Sequence, residues 1–117
     1  DSPGAAKFSD MATAAGFKGG PFAKESYDAA ALMLLAMEAA KSSDSQVYKS
    51  KIMDIANAPG EKIYPGELDK ALHLIEDGKD IDYVGASAVE LVGGGESAGN
   101  YAQIEVQNQK NVTVAYR

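Results

Sequence analysis

The sequence predicts an α/β chain of about four helices followed by a short β-meander. Three observations carry that expectation. Apolar residues recur at helical spacing as far as Ile75, which puts them on one face of each helix. Beyond Asp82 the spacing shortens to strict alternation, the pattern of a strand with one face covered. Hydrophobic residues make up 45% and charged residues 24% of the 117 positions, a balance that favours a folded chain over disorder. This length suits one domain with a core of its own.

Ser2 and Pro3 open the first helix. A Ser side chain can accept from a free amide of the first turn, and Pro at the first helical position loses no needed donor. Ala5, Phe8, Met11 or Ala12, and Ala15 share its inner face, and Gly16 supplies the left-handed residue that ends it. Residues 17–22, with two Gly and a Pro, form a loop. Ser26 is the cap candidate of the second helix, and Asp28 in its first turn suits the positive helix end. Over 27–40 the residues Tyr27, Ala30, Ala31, Leu34, Leu35 and Met37 leave little polar face, which predicts burial on several sides.

Ser42, Ser43, Asp44 and Ser45 make a polar break. A third helix follows to Ala56 with Val47, Tyr48, Ile52 and Ile55 facing inward, and Pro59-Gly60 stops it. Pro65 is the candidate first residue of a fourth helix, with Leu68, Leu72 and Ile75 on one face and Gly78 closing it. Three strands complete the chain, over 88–92, 101–106 and 112–117, joined by turns at 93–99 and 108–111.

Charge narrows the partners. The net charge is −6, and the single Arg is Arg117, so a clustered basic face for nucleic acid is not expected. The absence of Cys excludes disulfides and thiolate metal sites. No apolar run approaches the roughly 20 residues of a membrane span. A start at Asp1, with neither Met nor leader, predicts a processed, trimmed or fragmentary chain.

Four local patterns invite a chemical reading. Gly93, Gly95 and Ala98 match the spacing of a dinucleotide loop, but a strand follows where a phosphate-binding helix is needed, so a hairpin turn is expected. Asp77, Asp80 and Asp82 fail the calcium-loop spacing from either start and are expected to be solvated. His73 stands four residues after Asp69 on the fourth helix. A His–carboxylate pair is half of a catalytic arrangement, yet no nucleophile can be placed beside it, and an exposed helix pair is expected. Asn111-Val112-Thr113 fits a glycosylation sequon by chance. No catalytic residue, metal or cofactor is expected.

Longer stretches carry a resemblance. They are Ser2-Pro3-Gly4-Ala5, then Tyr27-Asp28-Ala29-Ala30-Ala31-Leu32, then the run from Ala56 through Pro59-Gly60-Glu61-Lys62-Ile63-Tyr64-Pro65-Gly66-Glu67, then Asp80-Ile81-Asp82-Tyr83-Val84-Gly85-Ala86, and the closing hairpin. Together they resemble the C-terminal third of the periplasmic solute-binding proteins of ABC transporters. Specifically, they resemble the branched-chain and hydrophobic amino-acid (or amide) group with the type I periplasmic-binding fold. The turn at 93–99 is Gly-rich here, where an Asp-rich turn is common in that family.

The resemblance implies part of a two-lobed α/β protein that closes about hinges on one small solute, an amino acid by preference, and delivers it to the membrane permease of an ABC importer. It implies binding without catalysis and a periplasmic, or secreted and cell-surface attached, location. Phe22 matches an aromatic position that lines the ligand's side-chain pocket, where a ring face offers apolar contact. The segments 18–21 and 85–87 are the implied hinges. Most residues that hold the ligand's charged groups lie upstream in that family, so this chain alone is expected not to bind it. Apolar surface left open on the helix over 27–40 predicts a swapped oligomer. The alternative on the same fold is a ligand-sensing domain of a receptor or an amide-responsive regulator.

Overall fold

A helix starts where Ser2 and Pro3 place it. The computed structural model describes residues 2–117, so the reading of Asp1 as a trimmed start lies outside the described residues. α1 spans Pro3–Ala14, and the Ser2 hydroxyl accepts from the Ala5 amide at 3.2 Å. Gly16, at φ +69°, donates to the Thr13 carbonyl while Phe17 donates to that of Ala12 at 2.8 Å. These paired bonds are the left-handed helix stop that Gly favours.

α2 spans Ala23–Ala40 and begins ahead of Ser26, so the expected cap is not used. Phe22 takes the cap position instead in the left-handed conformation (φ 63°), without a side-chain bond to the helix. Lys41 (φ 50°) ends α2 through the same pair of bonds that Gly16 makes. α2 buries Asp28, Ala31, Leu32, Leu35 and Ala36. Its other side carries Ala30, Met33 and Leu34 in the open, with Leu34 56% exposed. Burial on several sides is therefore corrected to burial on one. Among the described residues its cover comes from the segments 45–56 and 68–76 and from Phe8 of α1, which leave that side open.

The expected third helix is broken. Asp44 caps α3 (Ser45–Tyr48) by accepting from the Gln46 amide at 2.9 Å, a tighter 3₁₀ turn follows at Lys49–Lys51, and α4 covers Ile52–Ala56. Ile55 faces the core as expected, whereas Val47 is exposed. Pro65 does not begin the fourth helix. It sits in a turn with Gly66 (φ +85°), closed by the Glu67 amide on the Tyr64 carbonyl at 3.1 Å. α5 starts at Leu68 and runs to Glu76, and Gly78 (φ +71°) ends it as expected.

Two short strands went unforeseen. β1 (Glu61–Ile63) and β2 (Ile81–Tyr83) pair in parallel, with α5 as their crossover. Ile63, Ile81 and Tyr83 from this unit pack with Ala31, Leu32 and Leu35 of α2, Ile55 and Ala56 of α4, and Ala71 of α5. That cluster is the core. Lys70 on α5 and Glu61 on β1 form an ion pair across the unit.

The expected three-stranded meander is corrected to two separate hairpins. β3 (Glu90–Val92) pairs with β4 (Glu96–Ala98) around Gly93–Gly95. β5 (Ala102–Gln107) pairs with β6 (Lys110–Tyr116). Asn108 (φ 50°) and Gln109 (φ 63°) make its two-residue turn, and two left-handed residues in succession give a turn that matches the right-handed twist of the strands. Among the described residues the fold is thus mixed α/β, with α-helix at four places and two-stranded sheets. Among the described residues, no helix is long and apolar enough to cross a membrane.

Candidate functional site

A tightly packed, hydrogen-bonded joint lies where α1, α2 and the turn after β2 meet. Asp28 is placed there by helical periodicity: Ala31, Leu32 and Leu35 follow it on the face that enters the core. Its Oδ1 accepts from the Tyr83 hydroxyl at 2.9 Å and the Ala86 amide at 2.8 Å. Its Oδ2 accepts from the Ser87 amide at 2.7 Å and the Ser87 hydroxyl at 2.6 Å. The carboxyl group is 2% exposed and fully engaged. Such bonds to a charged acceptor are among the stronger ones, and a buried carboxylate without them would be costly.

Glycines allow this approach. A side-chain carbon on Gly85 (φ +63°) would collide with the Asp28 carboxylate and the Tyr83 ring. A side-chain carbon on Gly4 would collide with the Gly85 carbonyl, so the start of α1 is pressed onto the same turn. Burial, and then the neighbouring Asp28 carboxylate, push the Tyr83 hydroxyl well above the ordinary range of a phenol.

Beside this joint lies an open cleft of about 740 Å³. Lys24 and Glu25 on the first turn of α2 line it with Ser87 and Ala88, facing Tyr116 and Arg117. Phe22 stands just ahead of Lys24 and is 75% exposed. The segment 18–21 is exposed, and its Gly19 and Gly20 line a second groove of about 410 Å³ against α1. The segment 85–87 is the opposite case, enclosed and held by Asp28.

A second side-chain clasp was not foreseen. Asn57 Nδ2 donates to the Leu91 carbonyl at 2.8 Å, and the Leu91 amide donates to Asn57 Oδ1 at 2.9 Å. The amide side chain thereby imitates a strand neighbour for β3. The role of Asp28 was also missed, although a carboxylate in register with buried Ala31, Leu32 and Leu35 was its signal.

The remaining patterns stay apart. His73 and Asp69 are an exposed pair, with His73 Nδ1 donating to the Asp69 carbonyl at 2.8 Å. That bond, then the Asp69 charge, raises the imidazole above its usual value. Among the described residues, no three His, Cys, Asp or Glu side chains are grouped to hold a metal ion, so Asp77, Asp80 and Asp82 do not converge. Gly93–Gly95 is the tip of the β3–β4 hairpin. No protein-family model, curated protein or solved structure matches the chain.

Proposed function

We propose that the chain is the C-terminal part of a two-lobed solute-binding component of an ABC importer. It closes on hydrophobic or branched-chain amino acids or related small solutes and hands them to a membrane permease outside the cytoplasm. One observation carries the reading. The two stretches that bear the resemblance, Tyr27–Leu32 and Asp80–Ala86, are joined in space by the Asp28 hydrogen bonds to Tyr83 and Ala86. A purely local likeness would give those stretches no reason to meet.

The open side of α2 supports the same reading. Ala30, Met33 and Leu34 form an uncovered apolar stripe, and β1–β2 is a parallel pair, a kind of sheet that elsewhere is covered on both faces. Further polypeptide over these surfaces would complete a lobe. In this reading Phe22 offers its exposed ring to the solute's side chain, and 18–21 and 85–87 are the crossings between lobes.

The test is calorimetry with a panel of amino acids and amides on the product of the complete gene. Binding of hydrophobic amino acids, weakened about tenfold or more by Phe22→Ala, is expected, since a buried aromatic contact contributes at least ~1.4 kcal/mol. The 117-residue chain alone is expected to show none. A complete gene product that binds no amino acid or amide would sink the proposal.

A further inference from the structure

Two side-chain clasps mark the end of the fixed part of the chain. Asp28 holds Ala86 and Ser87, and Asn57 holds Leu91. β4 continues this body by pairing with β3 as far as Ala98. Beyond Ala98 no residue is buried, and only Ala115 is even half-buried.

The β5–β6 hairpin is nevertheless well tied to itself. Its open end is closed by the Tyr101 amide on the Arg117 carbonyl at 2.6 Å and the Arg117 amide on the Tyr101 carbonyl at 2.8 Å. Arg117 Nε adds a bond to Gln103 Oε1 at 3.0 Å. It joins the body through Gly99 and Asn100, and a side-chain carbon on Gly99 would meet nothing within 4 Å.

Between hairpin and body lies the cleft of about 740 Å³, with Asn100, Tyr116 and Arg117 on one wall and Lys24, Glu25 and Ala88 on the other. The hairpin holds Tyr101, Ile104, Val106 and Tyr116 in water, with Tyr116 79% exposed. An isolated hairpin is marginal in water, and apolar surface gains about 25 cal/mol per Å² on burial. The wall opposite the hairpin carries both Lys24 and Glu25, so Arg117 finds one carboxylate and one ammonium there. The hairpin has a driving force, a joint and an opposing surface.

We propose that the β5–β6 hairpin is a strap that swings about Gly99–Asn100 and closes the cleft, bringing Tyr116 and Arg117 onto the first turn of α2. The strap stands independently of the solute-binding reading, because it concerns two surfaces of this chain alone.

The test uses the full chain and has two parts. On the unaltered protein, ¹⁵N relaxation should give amides of β5 and β6 a shorter effective correlation time than those of α2, β1 and β2. A correlation time common to strap and body would overturn the proposal. The chain has no Cys, so the double variant Lys24→Cys/Tyr116→Cys reports closure cleanly. Mild oxidation should cause loss of both free thiols within a monomer. Crosslinked dimers without monomeric product would overturn the strap, assigning the hairpin to a second copy. Retention of both thiols would overturn it as well. Should the double variant fail to fold, the relaxation measurement decides.

Discussion

Asp28 and Tyr83, 55 residues apart in the sequence, share a 2.9 Å hydrogen bond inside the core. The phenol spans from β2 to the carboxylate of α2, and the same carboxylate then organises the turn that follows β2. Helix, strand and turn are held by one acceptor.

Removal of that acceptor should therefore be costly. Asp28→Ala leaves the Tyr83 hydroxyl, the Ala86 amide and both Ser87 donors without their partner. A loss of about 3–4 kcal/mol is expected, because buried unsatisfied donors each forfeit their solvation. Ser87→Ala removes one donor and keeps the other three, so a loss of about 1 kcal/mol is expected. Urea denaturation of both variants checks the ratio. Equal losses would show that the carboxylate does not act as a shared acceptor.

The glycines around this joint predict a graded series. Gly85→Ala forces a side chain into the left-handed region and onto the Asp28 carboxylate, and Gly4→Ala meets a backbone carbonyl that cannot swing aside. Both should cost several kcal/mol or prevent folding, beyond the roughly 1–2 kcal/mol of left-handed strain alone. Gly94→Ala (φ +86°) carries that strain with open space around it, so its loss should stay near 1 kcal/mol. Gly20→Ala has neither obstacle and should be neutral. Thermal melts of the four variants rank them. A Gly4→Ala protein as stable as Gly20→Ala would contradict the close approach of α1 to the turn.

These positions also show what the sequence made legible. Helix ends were legible where one residue type solves one backbone problem: Ser2 at the start of α1, and Gly16 and Gly78 at helix stops. Ser26 misled because Phe22 and the Gly20 carbonyl begin α2 without a side-chain cap. Pro65 misled because Pro serves a turn before Gly66 as well as it serves a helix start. β1 and β2 are three residues each, too short to display alternation, and only their parallel pairing across α5 makes them strands. The Asp28 joint was hidden for a related reason. Asp28 was expected in a first helical turn, but α2 begins at Ala23 and sets it in the second turn, facing inward, and only tertiary contact brings Tyr83 and Ser87 to it.

Neighbouring leucines on α2 should respond oppositely to truncation. Leu35 is 1% exposed in the core and Leu34 is 56% exposed. Leu35→Ala should cost about 2–5 kcal/mol, the usual loss for a buried leucine and the cavity it leaves. Leu34→Lys should change the stability of this chain by no more than about 0.5 kcal/mol. In the complete gene product, where the proposed function has α2 covered, Leu34→Lys should cost about 2 kcal/mol from lost apolar burial. Denaturation of the two forms side by side gives the comparison, and an equally small effect in both would count against a covered α2.

Tyr83 gives the fold an alkaline limit. Its hydroxyl ionises above the ordinary value of 10.0, because burial and the Asp28 charge both oppose a phenolate. The unfolded chain ionises first, so this contribution is fully present below pH 10.0 and is lost as pH rises past it. Melting temperature should fall more steeply above that point for the natural chain than for Tyr83→Phe. The variant should start about 1 kcal/mol less stable near neutrality, having lost one hydrogen bond. Parallel slopes for the two proteins would mean that Tyr83 is not the group that titrates.

His73 allows the two largest causes of its shift to be separated. The first is the bond from Nδ1 to the Asp69 carbonyl, and the second is the Asp69 charge. Asp69→Asn deletes the charge and keeps the carbonyl, so the imidazole should titrate lower than in the natural chain yet still above its ordinary 6.5. The protonated form is the one favoured by the fold, so its contribution is complete below 6.5 and fades as pH rises through the raised value. The pair is exposed, and solvent screening keeps any effect on melting small. The imidazole proton shift followed by NMR is therefore the right observable. A fall to the ordinary value in Asp69→Asn would assign the whole effect to charge and remove the carbonyl bond from the account.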